Sequence, residues 1–270
     1  MSARLPRANS SQSTSVIDVL DAKVRPRETS RRYDYWIETH RPLVCLVFTL
    51  PLLLWYEIGM VLHPDAIRSG IDRLLQTLLS PVGDTSLVVL PLVTIGTMLF
   101  LHHRRRDDAG FHLNPKTFVA MVAESLGLAV ILFITCDALM LYLSDQQPKP
   151  LSGLATVFSD TEQYARVLTC VGAGIHEELL FRLLMFAPLM HWIRRGTDRE
   201  RLALVVASVV VSLVFALAHC DLLNPEGTPL EASSFLFRFL ASVFLCFLFR
   251  FRGIGIAIGV HAVFDILAIS

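Results

Sequence analysis

HEELLFR, residues 176–182, sets Glu177, Glu178 and Arg182 inside a run otherwise apolar enough to cross a membrane. A charge at a bilayer centre costs about 3 kcal/mol on insertion scales, so charges persist there only where they pair or perform chemistry. Glu178 and Arg182 stand four apart with the acid towards the amino terminus, the favoured order for an ion pair on one helix face. Successive helical residues turn by about 100°, so Glu177 and Glu178 are not expected to serve one partner equally. The pair is read as a brace and Glu177, without a local partner, as a functional candidate.

Composition agrees with a membrane setting. Of 270 residues 53% are hydrophobic and 18% are Asp, Glu, Lys or Arg, against roughly 25% charged in soluble domains. The mean hydropathy is +0.55. The formal net charge is zero, which gives no footprint for nucleic acid. The five cysteines show no CxxC spacing and read as small buried hydrophobes, not a disulfide framework or zinc ribbon.

A spanning helix needs about 20 mostly apolar residues. Seven segments qualify: 42–62, 84–102, 117–143, 164–192, 202–220, 233–250 and 253–270. The fold expected is therefore all-α, a polytopic transmembrane bundle of about seven spans. Residues 67–79, IRSGIDRLLQTLL, are too polar to span but carry apolar residues at helical spacing, as an interfacial helix does. Residues 1–40, rich in Ser and Arg, read as a mostly disordered tail, and 41–270 as the transmembrane domain. The first long apolar run starts near Leu43 with no small-residue cleavage site after it, so no cleaved signal is expected. Arginines crowd the tail and alternate loops, whereas 221–234 holds none before the next span, so the positive-inside rule predicts a cytoplasmic amino terminus.

HEELL resembles half of the zincin signature HExxH, but position 180 is Leu180, and His176 reads as a packing or supporting residue. FALAH, residues 215–219, puts Phe215 and His219 one turn apart; HAVFD, residues 261–265, does the same for His261 and Asp265. Helix bundles build sites from inward side chains of facing helices. One glutamate and two histidines on three helices can orient and deprotonate a water, or hold a metal with an open position. Glu177, His219 and His261 are the candidate ligands in that second case.

EELLFR, FALAH and HAVFD fit the ordered patterns EExxxR, FxxxH and HxxxD/N. In order and spacing they resemble the CPBP intramembrane proteases, named for CAAX prenyl endopeptidases and bacteriocin-processing proteins and also called the Abi family. The resemblance covers about residues 160–270. It implies a membrane-embedded endopeptidase acting on a membrane-associated peptide or protein within the lipid bilayer. It assigns water activation to Glu177 with help from His219, oxyanion stabilisation to His261 and Asp265, and an architectural role to Glu178 and Arg182. The CAAX endopeptidases carry Asn where this chain has Asp265; a carboxylate donates to an oxyanion only when protonated, and it can instead accept a bond from His261 and fix its tautomer. The family has been described both as a metalloprotease and as a glutamate protease, so the resemblance leaves the cofactor open between zinc and none.

Two other readings rank below the protease. One is a non-catalytic immunity or scaffold protein of the same family. The other is a proton- or metal-coupled transporter, for which Glu57, Glu124, Asp137, Arg166 and Arg238 supply further charges in or near spans. No internal repeat supports the transporter, and interhelical pairing is the plainer account of those charges.

Overall fold

A computed structural model describes residues 35–63, 86–105, 114–144, 161–219 and 232–269. Residues 1–34 of the expected tail, the interfacial segment 67–79 and Cys220 lie outside these. Every described element is helical. They are α1 (Tyr35–Glu38), α2 (Pro42–Leu62), α3 (Ser86–Arg105), α4 (Pro115–Ser144), α5 (Thr161–Glu177), a π-helical segment (Glu178–Phe186), α6 (Ala187–Thr197), α7 (Glu200–Ala218), α8 (Ala232–Arg252) and α9 (Ile254–Ile269).

Helix limits follow local chemistry. Pro42 opens α2, where its missing N–H costs nothing and its fixed φ suits the first turn. Gly253, at φ 88°, ends α8 in the left-handed region and starts α9. A Cβ there would also stand 2.6 Å from the Thr39 carbonyl, so backbone and neighbour both call for glycine.

α9 is the centre of the bundle. It is apolar on all sides, and Ile254 to Ala262 are buried throughout. It packs on α2, α4, α5, the π-helical segment and α8. The outer helices present their apolar residues outward: Val119, Ile131 and Ile134 on α4, and Val205, Val210 and Leu213 on α7, are exposed. Such faces are a liability in water and the expected lining against lipid tails.

Among the described residues, α2, α7, α8 and the stretch Pro115–Leu143 of α4 are long and apolar enough to cross a bilayer; α9 is apolar but only 16 residues long. Where described, the predicted seven spans fall on helical chain, but four meet the length and composition of a span, so the count of about seven goes beyond them. The packing is the same for either orientation in a bilayer, so the cytoplasmic amino terminus rests on the arginine bias alone.

Two of the extra charges, Glu124 and Arg166, form ion pairs. Arg252 at the end of α8 grips both Glu124 carboxylate oxygens with Nε and Nη2, and the Tyr35 hydroxyl donates to Glu124 Oε2 at 2.6 Å. The Arg252 guanidinium carbon lies 3.6 Å from the Trp36 ring centroid. Burial, then the Glu124 carboxylate, push the Tyr35 hydroxyl well above its ordinary range. α1 is thereby fastened to α4 and to the α8–α9 turn. Arg166 pairs within its own helix, with Glu162 at 2.7 Å. Cys45, Cys136, Cys170 and Cys246 are buried and form no disulfide among the described residues.

Candidate active site

Small residues let the motif helices meet. Gly172, Ala173 and Gly174 precede the paired glutamates on α5. A Cβ on Gly174 would fall 2.8 Å from the Ala262 backbone nitrogen, so α5 and α9 touch almost backbone to backbone. That contact sets the last turn of α5 beside His261. At Glu178 the chain changes from α- to π-helical geometry and stays so to Phe186. Such i→i+5 segments are rare and occur frequently at functional sites.

Glu177 Oε2 is where the three helices converge. His219 Nε2 approaches it to 3.4 Å from the end of α7, and His261 Nε2 to 3.7 Å from α9. Each imidazole is anchored by its other nitrogen. His219 Nδ1–H donates to the Phe215 carbonyl at 2.8 Å, the acceptor one turn back. His261 Nδ1–H donates to Glu178 Oε1 at 2.7 Å. With Nδ1 carrying a proton, each ring turns Nε2 towards Glu177, as an acceptor when neutral and as a donor when doubly protonated. At such separations one shared proton or one bridging water reconciles these acceptors.

Around this point the charges are ordered by depth. Glu178 and Arg182, an ion pair with Oε1 3.0 Å from Nη1, are fully buried. The Arg182 guanidinium also donates to Ser242 Oγ at 3.2 Å and stands 5.0 Å from the Phe215 ring, tying α7 and α8 to the π-helical segment. Glu177 and His261 side chains are 4% and 5% exposed, whereas those of His219 and Asp265 are each 28% exposed. The constellation therefore opens at its His219–Asp265 end. Phe215 fills the space between the imidazoles and the arginine, its ring 4.4 Å from His219 and 5.0 Å from Phe181.

Residues 162–267 match the family model described as Type II CAAX prenyl endopeptidase Rce1-like. This part of the chain is similar to the CAAX proteases. No curated protein and no solved structure matches the chain. The Rce1-like stretch holds every member of the convergence from Glu177 to Asp265, while α1 to α4 lie outside it. The match supports a hydrolase role at family level and, with the four apolar helices, an integral membrane setting.

Several sequence expectations change against this geometry. His261 stands between the two glutamates but serves them unequally, with Nδ1 2.7 Å from Glu178 and Nε2 3.7 Å from Glu177. The acceptor that holds the His261 tautomer is Glu178, not Asp265, which stands 3.5 Å from Nε2. His219, drawn at the far end of its span, reaches Glu177 even so. His176 is buried with its ring edge-on to Tyr56, 5.4 Å between centroids.

The candidate metal set Glu177, His219 and His261 has the right donor types. Among the described residues, however, no three His, Cys, Asp or Glu side chains are spaced to hold an ion. The residues as placed do not fit a metal, and no step below is routed through one.

Sequence reading missed two residues here. Ser242 left no signal beyond a small side chain in an apolar helix. Arg238 was visible as a charge within a span, but its partner is a backbone carbonyl, that of His219 at 3.2 Å, which no side-chain pattern reveals.

Proposed function

We propose that the chain is an intramembrane endopeptidase whose water-activating group is Glu177. The observation that carries this reading is the approach of two imidazole Nε2 atoms to Glu177 Oε2. Residues 160–270 form the catalytic part, and α2 to α4 frame it in the bilayer.

In this mechanism a water held between Glu177 and His219 Nε2 loses a proton to the Glu177 carboxylate as its oxygen attacks the scissile carbonyl carbon. The carbonyl π electrons move to oxygen, and the oxyanion accepts a hydrogen bond from His261 in its doubly protonated form. That form donates from Nδ1 to Glu178 and from Nε2 into the site, with Asp265 beside it. The tetrahedral intermediate then collapses, the C–N bond breaks, and the proton held by Glu177 passes to the leaving amine. Glu178, Arg182 and Phe215 hold the rings in place.

The family description names prenyl CAAX substrates, and a lipid-modified peptide is the substrate class proposed here. An apolar groove of about 290 Å³, lined by Phe48, Trp55, Val167, Gly259, Ala262 and Ile266, runs behind the α5–α9 contact and suits a hydrocarbon chain.

The test is cleavage of a lipidated reporter peptide by the purified protein in nanodiscs. Glu177→Gln keeps the shape and removes the proton acceptor; it should lower kcat at least about 10²-fold with unchanged thermal unfolding. Wild-type turnover in that variant rules the mechanism out.

A further inference from the structure

Arg238 lies in the apolar run FLFRFL of α8, where an arginine costs about 3 kcal/mol on insertion scales. Among the described residues its one hydrogen bond runs from Nη1 to the His219 carbonyl, and it forms no ion pair. We propose that Arg238 is the positioning residue that keeps His219 in the site, an inference that rests on the protease reading above.

His219 needs such a support. α7 ends at Ala218, and the last carbonyls of a helix have no partner within it. The His219 N–H already reaches back to Ala216 O at 3.3 Å, in a tightened last turn. The ring is tethered to Phe215 O through Nδ1, a partner on the same terminal turn. Those bonds move with the end of α7 if it frays. The Arg238 bond links the backbone that carries the ring to a different helix. α8 is itself fixed through Ser242 to Arg182 and so to Glu178. Arg238 and Ser242 are four apart on α8, so the histidine and the buried ion pair are referred to one helix. The distance from His219 Nε2 to Glu177 Oε2 depends on that reference.

A positioning role differs from substrate binding in what it changes. Arg238→Ala should lower kcat by about 10²-fold, the effect of misplacing a reacting group by about 1 Å, with KM within about threefold. Arg238→Lys should recover part of the rate, since an ammonium can reach the carbonyl as a point charge. Added guanidinium ion should restore Arg238→Ala in part. Independently of turnover, diethyl pyrocarbonate should acylate His219 Nε2 several-fold faster in Arg238→Ala, read by peptide mass spectrometry. Arg238→Gln, which keeps a donor without charge, serves if the alanine variant does not fold. A rise in KM at unchanged kcat overturns the proposal in favour of substrate contact, and unchanged kcat with unchanged acylation overturns it outright. If Glu177→Gln retains full activity, the protease mechanism fails while the acylation result still decides whether Arg238 holds His219.

Discussion

The carboxylate of Glu178 accepts a 2.7 Å hydrogen bond from His261 Nδ1, joining residues 83 positions apart through a side chain that is fully buried. The same oxygen takes Arg182 Nη1 at 3.0 Å. Glu178 is thus more than the intrahelical partner of Arg182. It is the group through which the buried ion pair fixes which nitrogen of His261 faces the site.

Removing the Glu178 charge should therefore damage two properties at once. Glu178→Gln leaves Arg182 as a buried cation without its counterion, at a cost of about 3–5 kcal/mol read as a lower unfolding temperature in detergent. Combining it with Arg182→Met replaces the pair by apolar volume and should recover most of that stability. The double variant should nevertheless stay inactive, because His261 Nδ1 has lost its carboxylate. Recovered cleavage in the double variant would show that the ion pair alone is what the site needs.

Motif spacing exposed the residues of the site; the contacts between them were less legible. The Glu178–Arg182 bridge follows from an i, i+4 relation and could be read directly. The bond from Glu178 to His261 depends on how α5 and α9 meet, and that is set by Gly174 against Ala262 and by the onset of π-helical geometry, neither of which has periodicity. Arg238 and Glu124 were visible as charges in or near spans, but a carbonyl partner for the one and an arginine over 120 residues away for the other leave no local pattern. The helices themselves were legible because long apolar runs fix them, whereas the number that span depends on length, which α9 at 16 residues shows.

Asp265 is expected to be replaceable by an amide. Its Oδ2 is 3.5 Å from His261 Nε2, and its side chain borders the open end of the site. Asparagine keeps an acceptor and adds a donor for an oxyanion. Asp265→Asn should therefore retain cleavage within about tenfold, and Asp265→Leu, which offers neither, should lose about 10²-fold or more. Equal loss in both variants, measured as kcat/KM on the reporter peptide, would mean that the negative charge itself is required.

The Arg252–Glu124 pair should govern how α1 is held. Arg252 also lies over the Trp36 and Tyr35 rings and donates to Thr39 Oγ1 at 3.4 Å. Arg252→Lys keeps the charge but gives up the paired bonds and the stacking, so it should lower stability by about 1–2 kcal/mol. Limited proteolysis should then cut near residues 35–41 sooner than in wild type. Glu124→Gln should act in the same direction and more strongly, because Arg252 then stays buried without a counterion.

The close contact of α5 and α9 makes the sharpest separation between folding and activity. A methyl group on Gly174 would meet the Ala262 backbone nitrogen at 2.8 Å and its Cβ at 2.9 Å, atoms that cannot swing aside. Gly174→Ala must push the two helices apart by some tenths of an ångström, and His261 rides on the helix that moves. Cleavage should fall by 10-fold or more, since reacting groups tolerate little misplacement. Gly127 on α4 is the control: nothing lies within 4 Å of a Cβ there. Gly127→Ala should leave cleavage unchanged and raise stability by up to about 1 kcal/mol through helix propensity. Wild-type turnover in Gly174→Ala would mean that the separation of α5 and α9 does not set the distance from His261 to Glu177.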